Sequence, residues 1–201
     1  MTPHEWSFIV FSFLLGAIPF GYILCYLVTR RDIRHEGSGN IGATNALRTL
    51  GPAGGAVTLV LDILKGSIPV LYGSHHFDNP YLIMAGGATA ILGHMFSPFL
   101  RFRGGKGVST FFGVFAVLHP LAAGVFLAGF FSVVAFTRLV SAASLTGVFL
   151  VFFTTLFTRV PTLSMIVLFL SILISLRHRR NILAIIQGTE RRIHLRKVSD
   201  E

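Results

Sequence analysis

Seven apolar runs, at roughly 6–28, 53–73, 81–100, 108–120, 121–137, 140–158 and 161–176, most constrain what this chain can fold into. A helix must cover about 30 Å to cross the hydrocarbon of a bilayer, which takes about 20 apolar residues. Several of these runs reach that length without a charged residue. Only 12% of the 201 residues are charged, about half the share of a soluble domain. The 20 Phe and 21 Gly suit a lipid-facing exterior with close helix contacts inside. The reading is an all-α integral membrane protein, one polytopic domain over residues 1–201.

The run count turns on His119-Pro120, which interrupts a nearly continuous stretch. Pro120 disfavours helix at the residue before it, so a turn there gives seven spans and a kinked helix gives six. Charge placement favours seven. With the N-terminus outside, the inner loops hold Arg30, Arg31, Arg34, Arg48, Arg101, Arg103, Lys106 and Arg138, and the seven basic residues from Arg177 to Lys197. That is fifteen of the 17 Lys and Arg, leaving Arg159 outside and Lys65 within a span. Such an asymmetry predicts an outside N-terminus and a cytoplasmic C-terminus. It also explains the formal charge of +9 by topology rather than by nucleic acid. The N-terminus lacks a basic n-region, so the first run is expected to be a retained span. Cys25, the single cysteine, reads as a small core residue.

Three polar segments follow apolar runs, and alternating topology brings all three to the cytoplasmic face. In Gly37-Ser38-Gly39-Asn40-Ile41-Gly42-Ala43-Thr44-Asn45 the glycines allow tight turns with N–H groups turned to an anion. Ser38, Asn40, Thr44 and Asn45 add neutral donors, and Arg48 adds a fixed charge with bidentate phosphate geometry. The alternative is an ordinary turn capping the next helix. Gly104-Gly105-Lys106-Gly107 can form a nest with an ammonium beside it. It is not a Walker A loop, because Leu100 and Gly107 stand where Gly and Ser or Thr are required. In Arg177-His178-Arg179-Arg180-Asn181, His178 can act as a base near neutral pH, and Asn181 shares its helix face.

Other positions have two readings. Ser141 and Ser144 open the sixth run behind Arg138 and could bind phosphate or cap the helix. Asp62 and Lys65 share a helix face and should neutralise each other. Lys65 stands about 20 Å along the helix from Gly51, which favours that structural role. The segment from Arg177 alternates charge with Ile182, Leu183, Ile185 and Ile186 and could lie on the membrane surface. No cluster has metal-ligand spacing, no nucleophile elbow appears, and no His-x4-Asp pair exists. Neither metal nor cofactor is expected.

Taken in order, Gly37–Asn45 with Arg48, Leu61-Asp62-Ile63-Leu64-Lys65-Gly66, Gly93-His94, Gly104–Gly107, Arg138-Leu139-Val140-Ser141 and His178 with Asn181 resemble the bacterial membrane acyl-phosphate:glycerol-3-phosphate acyltransferases. The resemblance spans about residues 10–190 and is weakest at Gln187–Glu190. It implies seven spans and transfer of a fatty acyl group from acyl phosphate to the 1-hydroxyl of sn-glycerol 3-phosphate. The products would be lysophosphatidate and phosphate, at the first step of phospholipid synthesis in the bacterial inner membrane. It also implies a cytoplasmic site and membrane lipid as surroundings, with no obligate protein partner.

An acyl phosphate is already activated, so no covalent acyl-enzyme is expected; positioning and charge stabilisation suffice. On this resemblance, Ser38, Gly39, Asn40, Gly42, Thr44 and Asn45 bind the acyl-phosphate head with Gly104, Gly105 and Gly107. Lys106, Arg48, Ser38 and Ser141 hold the phosphate of glycerol 3-phosphate. His178 and Asn181, with Lys106, form the catalytic group. A transporter for an organophosphate is the competing class, but its site would be expected near the midplane within internal repeats.

Overall fold

The computed structural model describes residues 1–158 and 160–193. Arg159, Arg196 and Lys197, counted in the charge asymmetry, lie outside the described residues. Among those described, the chain forms nine α-helices: α1 (Pro3–Ala17), α2 (Phe20–Thr29), α3 (Ala43–His76), α4 (Pro80–Met95), α5 (Val108–Leu118), α6 (Pro120–Thr137), α7 (Val140–Thr155), α8 (Pro161–Arg177) and α9 (Arg179–Ile186).

Local chemistry starts and stops these helices. A capping box opens α1: Glu5 N donates to Thr2 Oγ1 at 3.3 Å, and Thr2 N donates back to the Glu5 carboxylate at 2.6 Å. Proline stands at the first turn of α1, α4, α6 and α8, where its missing N–H costs nothing. The first apolar run is not one helix, because Pro19 disfavours helical backbone at Ile18. The carbonyls freed at this break find side chains from elsewhere. Ser97 Oγ donates to Ala17 O at 2.6 Å, and Lys65 Nζ donates to Ile18 O at 2.9 Å. In α3 the kink falls at Gly51, whose φ of 77° interrupts the helix.

Five helical stretches are long and apolar enough to cross a membrane, among them α1 with α2 counted together over Pro3–Thr29. A sixth follows if α8 and α9, bent by 64° at their junction, count as one. At that bend α9 turns off at His178 and ends at Ile186. The element at 108–120 departs most from its expectation. As α5 it has 11 residues, about 16 Å of rise. It is held by backbone-to-backbone approach against α3. A Cβ on Gly113 would stand 2.1 Å from the Ile63 carbonyl oxygen, and one on Gly66 2.2 Å from that of Thr110. Glycine at both positions permits that packing, and Ser67 Oγ adds a bond to Gly113 O at 2.9 Å.

Neighbouring helices pack antiparallel in chain order. Lys65 of α3 reaches Ile18 while Gly73 meets Phe8, and Ile83 of α4 meets Gly73 while Gly87 meets Val70. Gly107 then lies on Met95 while Val114 of α5 meets Gly87; Phe112 faces Phe126 of α6, which meets Gly147 of α7. Ser164 Oγ of α8 donates to Thr155 O at the end of α7. This alternation gathers the loops after α2, after α4 and after α6, together with the α8–α9 bend, at one end of the bundle. The core between them is apolar, with Phe111, Phe115, Val148, Val151, Val167 and Ile174 fully buried. Phe131, Phe136, Leu121 and Met165 point outward, as a lipid-facing surface requires.

Candidate active site

The loop before α3 is moulded around one amide. Asn45 Oδ1 accepts from Ser38 N at 2.8 Å, while Nδ2 faces the carbonyls of Ile33, Glu36 and Asn40 at 3.2, 3.0 and 2.8 Å. Asn45 is buried and its side chain is used up within the loop. Its amide hydrogens are spent on those carbonyls, so Asn45 shapes the loop, and with Ser38, Asn40 and Arg48 it also borders the cavity. Gly37 and Gly39 take φ of 58° and 70°, which lets the chain curl around the amide. Gly42 precedes the first turn of α3, and Thr44 lines its wall.

The second loop also departs from expectation. Gly105 N donates to His94 O at 3.0 Å, so this N–H is not part of an anion nest. Gly105 O accepts from Arg177 Nε at 3.0 Å, and Gly104 O accepts from Arg177 Nη2. The loop is clamped between α4 and the end of α8, and Gly104, Lys106 and Gly107 are its residues that line the cavities.

Lys106 begins a chain of polar contacts that ties the segments together. Its Nζ donates to Asn181 Oδ1 at 2.6 Å. Asn181 Nδ2 donates to Glu190 Oε1 at 2.7 Å, and the same oxygen accepts from Ser141 Oγ at 2.7 Å. Burial lowers the pKa of Lys106 to about 8, with the nearby Arg48 charge adding to the shift and Glu190 opposing it. His178 stands in the bend between α8 and α9. Its Nδ1 lies 2.8 Å from Ile174 O, which makes Nδ1 the protonated nitrogen and leaves Nε2 as an acceptor. Burial, with Lys106 nearby, lowers its pKa to about 4, so the ring is neutral at cellular pH.

Glu190 falls where the family resemblance is weakest, at Gln187–Glu190. Its place between Ser141 and Asn181 depends on the reversal after α9 at Gly188, where φ is 70°. Beyond the turn, Arg191 donates to Gly37 O at 3.2 Å and Ile193 N to Arg138 O at 2.9 Å. The available signal was charge: Glu190 is the single acidic residue between Arg177 and Ile193. Asp62 and Lys65 pair as expected, Nζ to Oδ1 at 2.9 Å. Ser144 lines the same wall as Ser141.

A cavity of about 410 Å³ runs down from this cluster. Its upper wall carries Ser38, Arg48, Lys106, Ser141, His178 and Asn181, and its lower wall Leu59, Ile63, Phe112, Phe126 and Phe130. A wider basin of about 1490 Å³ opens outward from the same polar groups and is rimmed by Arg34, Arg101, Arg103, Arg177, Arg179 and Arg180. Fold and site thus define a helical membrane protein whose cavity joins a mouth of cations and hydroxyls to an apolar groove.

Known proteins give that class a family. The Glycerol-3-phosphate acyltransferase family profile matches residues 6–188. Glycerol-3-phosphate acyltransferase of Pseudothermotoga lettingae is 42% identical over 187 residues, covering 93% of each chain. That of Thermotoga petrophila is 35% identical over 192 residues, covering 96% of this chain and 98% of its own. Two crystal structures of PlsY, an integral membrane glycerol 3-phosphate acyltransferase, superpose on this fold. The glycerol 3-phosphate form has a TM-score of 0.89 at 35% identity, covering 95% of this chain and 96% of that one. The lysophosphatidic acid form has a TM-score of 0.86 at 34% identity with the same coverage. The chain belongs to the glycerol-3-phosphate acyltransferase family and is an integral membrane protein.

Proposed function

We propose that this protein transfers a fatty acyl group from acyl phosphate to the 1-hydroxyl of sn-glycerol 3-phosphate, yielding lysophosphatidic acid and inorganic phosphate. The observation that carries the reading is the Lys106–Asn181–Glu190–Ser141 chain of contacts at the mouth of an apolar groove. One end suits phosphate and the other suits an acyl chain, which matches the two substrates together.

The roles follow from the groups that line the cavity, with Ser141 turning its one hydroxyl hydrogen from Glu190 to the phosphate when substrate binds. Lys106, Arg48, Ser38 and Ser141 hold the phosphate of glycerol 3-phosphate. Gly39, Asn40, Gly42, Thr44, Gly104 and Gly107 line the path of the acyl-phosphate head. The hydroxyl oxygen attacks the acyl carbonyl carbon, the ester C–O bond forms, and the bond from that carbon to the phosphate oxygen breaks. With its pKa near 4, His178 is a poor store for the proton. It accepts a hydrogen bond from the hydroxyl through Nε2 and orients it, with Asn181, while a phosphate oxygen of the substrates takes the proton. Alignment and charge supply the rate.

Topology belongs to the same proposal. Seven crossings, with α5 as a short fourth, put the N-terminus outside and the site on the cytoplasmic face. The antiparallel succession of helices and the placement of Lys and Arg support this arrangement. The membrane is then the bacterial inner membrane.

The test is phosphate release from palmitoyl phosphate by purified protein in lipid, with and without glycerol 3-phosphate. Release that requires glycerol 3-phosphate and yields lysophosphatidic acid is the expected result. No release, or release indifferent to glycerol 3-phosphate, overturns the proposal.

A further inference from the structure

Beneath the glycine loop stands a column of buried polar groups to which the mechanism above assigns no role, although Asp62 and His94 border the smaller cavity. It starts at the α1–α2 break, where Lys65 Nζ bonds Ile18 O at 2.9 Å and pairs with Asp62 Oδ1 at 2.9 Å. The same carboxylate oxygen faces His94 Nδ1 at 3.7 Å. All three side chains are at most 3% exposed, and His94 Nδ1 has no hydrogen-bond partner among the described residues. A separation of 3.7 Å is beyond a hydrogen bond, so the ring is seated by packing and by the carboxylate's field.

The other edge of the imidazole meets the loop. A Cβ on Gly105 would stand 2.1 Å from His94 Nε2, so the ring occupies the space any side chain there would need. The peptide is fixed as well, since Gly105 N donates to His94 O at 3.0 Å. From above, Arg177 holds the Gly104 and Gly105 carbonyls and lies over the Phe96 ring. Lys106 is the next residue along the chain.

We propose that His94 is a positioning residue for Lys106: its imidazole, seated on the Asp62–Lys65 pair, is the surface against which the Gly105 peptide is moulded. The place of the Lys106 ammonium follows from that contact. The inference rests on the function proposed above for its kinetic reading, and on geometry alone for its structural one.

Two measurements on the full chain in lipid test it. Hydrogen exchange at the amides of Gly105–Gly107 reads the moulding without reference to activity; His94→Ala should speed it, while exchange in α6 and α7 stays unchanged. Kinetically, His94→Ala should raise the KM for glycerol 3-phosphate about tenfold with kcat changed less than about threefold, the pattern of lost ground-state positioning. Gly105→Ala should raise KM at least as far. The His94→Ala, Gly105→Ala double variant should do no worse than the worse single one, since removing the ring makes room for the methyl. His94→Gln fills most of the space and guards against misfolding; it should keep KM within about threefold of the parent protein. Unchanged loop exchange in His94→Ala, or single effects that multiply, overturns the proposal. Absence of turnover in the parent protein overturns the function instead and leaves the exchange result to decide the moulding.

Discussion

Lys106 and Asn181, 75 residues apart in the chain, meet at 2.6 Å across the mouth of the cavity. The contact joins the glycine loop after α4 to the helix that follows the α8–α9 bend. It leaves the ammonium able to direct two further N–H bonds at an anion.

Lys106→Ala removes a partly buried charge that the proposal places on substrate phosphate. A charged hydrogen bond is worth about 1.5–3 kcal/mol, so kcat/KM should fall by about tenfold to a hundredfold, most of it in the KM for glycerol 3-phosphate. Steady-state kinetics at fixed acyl phosphate reads this. An unchanged KM removes Lys106 from the phosphate site.

The same lysine sets the alkaline limb. A pKa lowered to about 8 means that Lys106 is charged below that pH and neutral above it. Since kcat/KM reports the free enzyme, it should fall as pH rises through about 8. In Glu190→Gln the carboxylate that favours the charged form is lost, so the limb should move to lower pH. With glycerol 3-phosphate saturating, a bound phosphate restores the charged form, so the limb in kcat should lie higher. A pH profile of both parameters checks all three.

Asn45→Ala should act on the loop before it acts on chemistry. The change leaves Ser38 N and three carbonyls of the loop without their partner. Each unsatisfied buried group costs about 1–3 kcal/mol, so the loss should appear as a lower melting temperature together with faster proteolysis between residues 33 and 45. An activity loss with unchanged melting and proteolysis would point to direct substrate contact.

Lys65→Met strands the Asp62 carboxylate, which is 3% exposed. Breaking a buried pair from one side costs about 3–5 kcal/mol, enough to reduce the folded protein recovered from membranes. Lys65→Met with Asp62→Asn removes both charges and should recover much of that loss. Size-exclusion profiles and thermal unfolding in detergent measure the difference; a double variant as poor as the single one sinks the idea of mutual neutralisation.

The parts of this molecule legible in the sequence are those written in local patterns. Apolar length marks the helices, and Gly, Asn and Lys in short loops mark the residues that converge at one end. What escaped depends on contacts between distant segments. Asn45 looks like one more donor until Ile33, Glu36 and Asn40 turn their carbonyls to it. Gly105 looks like part of a nest until His94 takes its N–H. Glu190 gains its role only because Gly188 reverses the chain onto α7. The break at Ile18 had a local signal in Pro19, but an apolar run of 23 residues masked it, and the lysine that completes the break comes from α3.

The reversal after α9 also gives the site an order of construction. Ser141 at the start of α7 and Asn181 in α9 come earlier in the chain, yet the carboxylate that joins them arrives nine residues after Asn181. A nascent chain with α1 through α8 already inserted still has an open wall between α7 and α9. Closure of that wall thus waits on the segment beyond α9, when Glu190, Arg191 and Ile193 fasten it across the bundle.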